Sequence, residues 1–266
     1  MNHLWTKKMK SLRLGMFLVA LIVNAASGIV QASSYAVIPD IKLYPAYNDV
    51  AKTTSTFNYS LAAFAAGVSG DVYNNSPDIY SLNLKGNGFN VLPLIYYEQP
   101  ATIPEHSIQA VVGYKYIKAF GEKRRVIMIA FRGTEGLTSY DALADLDAAE
   151  AQFNPVGAPN IKVHKGFFES ALAFTAKESS AIIEGVSLNE IIDKASIYED
   201  IFIITGHSLG GGIATLYAAK LLDRGINRDN LLVYTYGQPS VGNDDFVNIF
   251  FNDGNLQKKL NLHRVR

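Results

Sequence analysis

Cysteine is absent from this chain of 266 residues. Its absence excludes disulfides and thiolate zinc sites, so the fold must rely on its buried core. Apolar residues make up 48% of the sequence, which is ample for a core at this length. An excess of charge is also missing, because 24 basic residues face 24 acidic ones. Nothing in this balance points to nucleic acid as a partner.

Acidic residues and a long apolar run are both missing from residues 1–32. Four basic residues come first, ten mostly apolar residues follow at positions 14–23, and small and polar residues end at Ala32. This order predicts a signal peptide cleaved after about Ala32, and hence a secreted or periplasmic protein. An uncleaved membrane anchor is the alternative, but ten apolar residues are too few to span a bilayer comfortably. The remaining residues, 33–266, carry 20 basic and 24 acidic side chains, a formal charge of −4.

Strand patterns alternate with helix patterns along residues 33–266. The predicted strands cover residues 108–117, 125–131, 200–205 and 231–236, with a turn at Lys123-Arg124 that makes a hairpin of the first two. The predicted helices cover residues 57–70, 166–184 and the segment after Ser208, whereas residues 74–99 are predicted as loop with short extended pieces. This alternation predicts an α/β domain with a mainly parallel sheet and helices on both faces. No internal repeat divides it.

The most informative segment surrounds Ser208. An apolar strand leads into Gly206-His207-Ser208-Leu209-Gly210, and an apolar-faced helix follows. This arrangement fits the G-x-S-x-G nucleophile elbow, in which a strained turn lifts the serine hydroxyl above the sheet. A Cβ on either glycine would collide with the neighbouring strand or helix. The alternative is a glycine-rich turn that binds a phosphate or nothing, but the flanking strand and helix favour catalysis.

Ester hydrolysis by a serine also needs donors for the tetrahedral oxyanion. The backbone N–H of Leu209 comes with the elbow. A second donor is expected from the loop that follows the apolar strand ending at Phe131. There Gly133 permits a tight turn, and Thr134 offers both an N–H and a hydroxyl. The sequence therefore predicts Ser208 as nucleophile, with Thr134 and Leu209 as the oxyanion hole.

Four ordered motifs resemble the class 3 (fungal-type) lipase family. In chain order they are Ile129-Ala130-Phe131-Arg132-Gly133-Thr134, Val163-His164-Lys165-Gly166-Phe167, Gly206-His207-Ser208-Leu209-Gly210-Gly211, and Tyr234-Thr235-Tyr236-Gly237-Gln238-Pro239 with Val241-Gly242-Asn243. The resemblance covers about residues 57–266. It implies an α/β-hydrolase fold and hydrolysis of carboxylic esters, typically acylglycerols at a lipid–water interface, without a cofactor or metal. It also assigns the same three roles to Ser208, Thr134 and Leu209.

The resemblance gives further residues a structural role. The segment from about Glu135 to Phe153 corresponds to a mobile lid, with Asp145 matching a structural aspartate of the family. His164 resembles a structural histidine at a helix start. Among the other polar residues of the motifs, His207 is interpreted as a packing residue, and Arg132 as a hydrogen-bond anchor rather than a substrate clamp.

The triad partners of Ser208 are not found in the chain. In this fold the order is Ser, then Asp or Glu, then His, and His263 is the sole histidine after the serine. In the family, the strand resembling residues 260–266 leads to the triad aspartate and later to the histidine, so we expect a chain truncated at its C-terminus. The alternative is an internal triad in which Asp244, Asp245 or Asp253 orients His263. The first two acids, however, follow Gly242-Asn243 at a predicted helix start, where acids usually cap.

Two functions remain open at this point. One is an exported serine carboxylic-ester hydrolase of the lipase type, inactive or weak as the present chain. The other is a catalytically silent hydrolase-fold protein that binds lipid or a partner. Continuation of the reading frame beyond Arg266 into an aspartate and a later histidine would favour the first.

Overall fold

A seven-stranded sheet organises the residues that this computed structural model describes, which are 57–97, 108–119, 122–133, 149–155, 161–195, 200–251 and 260–265. The strands are β1 (Asn90–Val91), β2 (Ile95–Tyr97), β3 (Ile108–Ala119), β4 (Glu122–Phe131), β5 (Glu150–Phe153), β6 (Ile161–His164), β7 (Ile182–Ile183), β8 (Val186–Ser187), β9 (Ile201–His207), β10 (Leu231–Tyr236) and β11 (Asn261–Val265). The α-helices are α1 (Tyr59–Asp71), α2 (Pro77–Tyr80), α3 (Leu82–Gly86), α4 (Lys165–Lys177), α5 (Leu188–Asp193), α6 (Leu209–Asp223) and α7 (Asp244–Phe250).

The sheet is parallel in the half that carries the elbow. Its order is β1-β3-β4-β9-β10-β11, and β2 also pairs with β3. Strands β4, β9, β10 and β11 run parallel to one another, whereas β3 is antiparallel to β1, β2 and β4. In a parallel sheet the carboxyl ends of the strands share one edge, where ligands usually bind. The ends of β4, β9 and β10 meet at that edge.

Both faces of the sheet are covered by helices. Successive residues of the central strands point to opposite sides and are buried in two separate clusters. Ile129, Phe202 and Ile204 face the layer of α4 and α6. Met128 and Ile203 face the layer of α1. All six residues of β10 and all seven of β9 are buried, as expected of strands covered on both sides. The prediction of a mainly parallel sheet with helices on both faces is confirmed.

The hairpin turn predicted at Lys123-Arg124 is wrong. Pairing of β3 with β4 continues to Ala119 opposite Glu122, so both basic residues belong to β4. Lys123 pairs with Lys118, and its ammonium lies 3.9 Å from the centre of the Tyr116 ring. This cation–π contact extends the hairpin beyond its apolar part.

One helix prediction and one loop prediction also need correction. The helix predicted over residues 166–184 ends at Lys177, because the following 3₁₀ turn carries the fully buried Glu178 to Tyr217 (2.8 Å) and Arg224 (2.6 Å). Residues 74–99, predicted as loop and extended pieces, also contain the short helices α2 and α3. Pro77 opens α2, where its fixed φ suits the first helical turn. Within the described ranges, no helix combines the length and apolarity that crossing a membrane requires.

Candidate active site

Ser208 occupies the junction between β9 and α6. Its backbone has φ 56° and ψ −127°, and Glu184 is the sole other non-glycine residue with positive φ among those described. Its N–H donates to the Tyr236 carbonyl oxygen at 2.8 Å, which ties the junction to the end of β10. The residue is half-buried and its side chain does not cap the helix that it begins. A strained backbone and a hydroxyl not used for capping are the features expected of a nucleophile elbow.

The two glycines of the motif allow strand and helix to touch. A Cβ on Gly206 would lie 2.3 Å from the Gly210 carbonyl oxygen. A Cβ on Gly210 would lie 2.3 Å from the Phe131 carbonyl oxygen. Since real Cβ atoms do not approach backbone oxygens so closely, only glycine fits at either position.

The end of β4 lies directly beside the elbow. Phe131 pairs with Gly206, and a Cβ on Gly133 would lie 2.7 Å from the His207 carbonyl oxygen. Leu209 is the first residue of α6, where backbone N–H groups lack partners within the helix and point outwards. Thr134 lies outside the described residues, so its role as the second donor stays a prediction. Its described neighbour Gly133 lies next to the elbow.

His207 is buried and lies against Tyr73. The Tyr73 hydroxyl is 2.9 Å from Nδ1 of His207 and 3.4 Å from its carbonyl oxygen. Burial lowers the pKa of His207 to about 4, so the imidazole is neutral at ordinary pH. Its surroundings are those of a hydrogen-bonded packing residue.

His263 lies far from the serine hydroxyl. His263 lies on β11 and pairs with Tyr234 on β10. Tyr234 pairs in turn with Thr205 on β9, so His263 is two strands away from a residue that precedes Ser208 by three positions. Strand spacing and rise place the His263 and Ser208 Cα atoms roughly 14 Å apart. The His263 ring is 4.8 Å from the Tyr234 ring and 5.6 Å from the Phe57 ring, and burial lowers its pKa. A general base needs hydrogen-bond reach, which this placement does not provide.

The acids of the alternative triad do not reach the site through His263 either. Asp244 and Asp245 open α7, and Asn243 caps that helix by accepting a hydrogen bond from the Phe246 N–H at 3.1 Å. Asp253 lies outside the described residues. Among those that are described, no histidine is hydrogen-bonded to Ser208.

The remaining polar residues of the motifs have structural contacts. His164 is the N-cap of α4: its Nδ1 accepts from the Phe167 N–H at 3.4 Å and its ring stacks on Phe167 at 3.8 Å. The Arg132 guanidinium donates to the Gln109 side-chain oxygen. Asp145 and most of the predicted lid lie outside the described residues, and the last part of that segment, Glu150–Phe153, is strand β5.

Two residues near the elbow were not identified from the sequence. Tyr73 follows α1, and Gln109 is near the start of β3, so neither belongs to a recognisable motif. Gln109 is buried, and its side-chain amide donates to the Val72 carbonyl oxygen at 2.8 Å. A polar residue at the second position of a mostly apolar strand is the sequence signal that could have found Gln109.

Two solved lipase structures resemble this chain. One is a triacylglycerol lipase whose catalytic centre is formed by a serine protease triad; its TM-score is 0.50 at 24% identity, covering 73% of this chain and 67% of that one. The other, M37 lipase, has a TM-score of 0.50 at 18% identity, covering 82% of this chain and 65% of that one. At these identities the likeness shows the fold alone, which is the α/β-hydrolase fold.

Sequence relatives point to one family. A lipase from Rhizomucor miehei is 33% identical over 139 residues, which is 51% of this chain and 35% of that protein. Secreted mono- and diacylglycerol lipase 1 from Fusarium solani is 40% identical over 86 residues, which is 32% of this chain and 22% of that protein. These matches span well under two thirds of either relative. Residues 128–265 match the sequence profile of the class 3 lipases. Since that match covers just over half of the chain, the protein belongs to the class 3 lipase family.

Proposed function

We propose that this protein is a serine carboxylic-ester hydrolase of the lipase type, which cleaves acylglycerols or related esters at a lipid–water interface. The observation that carries the proposal is the backbone of Ser208, held at positive φ between β9 and α6 at the carboxyl edge of the sheet. Strained non-glycine residues cluster at active sites, and Ser208 lies at the sheet edge where ligands usually bind. Family membership and the names of the lipase relatives support the same reaction.

The proposed chemistry uses Ser208 as nucleophile. Its Oγ attacks the ester carbonyl carbon while a base removes the hydroxyl proton, and the carbonyl oxygen becomes an oxyanion. The N–H groups of Leu209 and Thr134, with the Thr134 hydroxyl, donate to that oxygen. Collapse of the intermediate breaks the ester C–O bond, and the alcohol leaves with the proton that the base had taken. Water, deprotonated by the same base, then attacks the acyl-serine, which releases the carboxylic acid and restores the Ser208 hydroxyl.

The proposal includes feeble turnover by the 266-residue chain alone. Support comes from the described histidines, of which none is hydrogen-bonded to Ser208. Without a base the serine hydroxyl stays protonated near neutral pH. Loss of the base costs about as much as loss of the whole triad, roughly a millionfold in one well-studied protease. The same observation favours the second candidate function, a catalytically silent protein that binds lipid or a partner.

Hydrolysis of p-nitrophenyl butyrate separates the two candidates. The chain is assayed with and without free imidazole as an external base, and Ser208→Ala is assayed in the same buffers to subtract hydrolysis by imidazole itself. We expect a Ser208-dependent rate that is feeble without imidazole and rises with it. No Ser208-dependent rate in either buffer would contradict the hydrolase and leave the silent binding protein. Fast turnover without imidazole would contradict the feeble rate and place a base among residues outside the described ranges.

Export is the second part of the proposal. It is supported by the basic, apolar and small-residue order of residues 1–32. Expression of the full chain in a secreting host should yield a mature protein whose N-terminal sequence starts at Ser33. Protein confined to the cytoplasm, or secreted protein that starts at Met1, would contradict export with cleavage.

A further inference from the structure

The Tyr73 hydroxyl lies where two segments of the site meet. It is 2.9 Å from Nδ1 of His207, in the elbow. On the other side, a Cβ on Gly133 would lie 2.2 Å from the same hydroxyl oxygen. The hydroxyl therefore fills the space between the end of β4 and the elbow, and the absence of a side chain at Gly133 makes that space.

A second contact path joins Tyr73 to the end of β4. The carbonyl oxygen of Val72, the residue before Tyr73, accepts from the Gln109 amide at 2.8 Å. The Gln109 carbonyl oxygen accepts from the Arg132 N–H at 2.9 Å, and the Arg132 guanidinium donates to the Gln109 side chain. Gln109 thus binds the residues that precede Tyr73 and Gly133. Together the two sets of contacts connect Tyr73 both to His207 in the elbow and, through Gln109, to Arg132 at the end of β4.

Burial shields the hydrogen bond between Tyr73 and His207 from water. His207 is 7% exposed and Tyr73 is half-buried, so water competes poorly for the imidazole. A neutral imidazole has one donor and one acceptor nitrogen, and each needs a partner when buried. Loss of the hydroxyl would leave Nδ1 unsatisfied and open a gap beside Gly133. The elbow and the strand end could then shift relative to each other.

We propose that Tyr73 is a positioning residue that sets the spacing between the end of β4 at Gly133 and the elbow that carries Ser208 and Leu209. The inference rests on the proposed function, because this spacing affects chemistry only if both segments bind one oxyanion. Displacement of a reacting group by about 1 Å can cost about a hundredfold in rate. Tyr73 acts here through His207 and Gly133, without contact with the substrate.

Tyr73→Phe tests the role, since it removes the hydroxyl and keeps the ring. Tyr234→Phe is the matched control: it also removes a hydrogen-bonded hydroxyl, which accepts from the Asn58 N–H at 3.3 Å, but away from the elbow. The Ser208-dependent rate with imidazole is measured for both. Tyr73→Phe should lower the turnover number at least about tenfold at nearly constant KM. Tyr234→Phe should change it less than about twofold. In ¹⁵N spectra of labelled histidine, the Nδ1 resonance of His207 should move in Tyr73→Phe alone.

The outcomes separate the two proposals. An unchanged turnover number in Tyr73→Phe, or an unmoved Nδ1 resonance, would overturn the positioning role and leave the hydrolase proposal standing. Equal losses of rate in both variants would also overturn it, since they would reflect general destabilisation. A wild-type rate no higher than that of Ser208→Ala would overturn the hydrolase proposal, and the positioning role with it.

Discussion

Gly210 packs so closely against Phe131 that a Cβ on the glycine would lie 2.3 Å from the Phe131 carbonyl oxygen. The amino end of α6 and the end of β4 are therefore in direct backbone contact. This contact places the amino end of α6, which carries the N–H of Leu209, next to the last described residues after β4, Arg132 and Gly133.

Gly210→Ala should destabilise the protein by about 1–3 kcal/mol or more, because one backbone must move to admit the methyl group. Gly166→Ala is the matched control. It also lies in the first turn of a helix, but there the nearest atom would be His164 Cε1 at 3.4 Å, an ordinary contact. Urea unfolding at neutral pH measures both changes. A Gly210→Ala protein as stable as Gly166→Ala would contradict the close contact.

The backbone strain at Ser208 should appear as a difference between two substitutions. Ser208→Gly should be more stable than Ser208→Ala by about 1 kcal/mol, because glycine adopts positive φ without the steric cost. Both variants lack the nucleophile, so neither should show Ser208-dependent turnover. Thermal unfolding of the pair measures the difference. Equal stabilities would mean that the elbow is not strained.

His207 should make the protein less stable in acid. Its pKa in the folded state is lowered to about 4, below its ordinary value of about 6.5. The unfolded chain therefore binds a proton first as the pH falls from 6.5 to 4, and the free energy of unfolding decreases across that window by up to about 3 kcal/mol. Above pH 6.5 the contribution is constant. His207→Gln should lose this dependence, which urea unfolding at a series of pH values measures; an unchanged acid slope would contradict it.

Asp71 should act in the opposite direction. It is buried and accepts from the Asn83 backbone N–H at 2.7 Å, and burial raises its pKa to about 7. Between about pH 4 and pH 7 the folded state binds more protons than the unfolded chain, so the free energy of unfolding falls as the pH rises, by up to about 4 kcal/mol. Asp71→Asn should remove this fall and stabilise the protein most at pH 7 and above. If Asp71→Asn is no more stable than wild type at pH 8, burial does not raise the pKa of this carboxyl.

His207 and Asp71 show which contacts the sequence does not reveal. The run of apolar residues before Gly206 predicts a buried strand, and the glycine spacing predicts the tight turn, because both depend on neighbours along the chain. The pairing of His207 with Tyr73 and of Asp71 with Asn83 depends on which helix covers which strand. Separations of 134 and 12 residues leave no periodic signal.

The start of β4 and the end of α4 were predicted wrongly because both depend on contacts that the local pattern does not show. Lys123 was predicted in a turn from its charge, yet a cross-strand Tyr116 ring holds it in β4. The apolar pattern of the helix that begins at Lys165 continues past its true end, but buried Glu178 leaves the helix to reach Arg224, the residue that follows α6. In both cases a contact with another element of the fold overrides local propensity. By contrast, the strand Leu231–Tyr236 has its predicted bounds, since it is buried on both faces and its pattern is unambiguous.

His263→Phe tests whether the alternative triad exists. The His263 ring packs between Tyr234 and Phe57, and a phenyl ring preserves these aromatic contacts, so the variant should remain folded. Because strand geometry places its Cα roughly 14 Å from that of Ser208, the Ser208-dependent rate with imidazole should change less than about twofold. If His263 were the base, the wild-type chain would turn over p-nitrophenyl butyrate rapidly without imidazole, and His263→Phe would lose nearly all of that rate. That result would also require β11 to leave its register with β10, which hydrogen exchange of the Val233 and Tyr234 amides would detect.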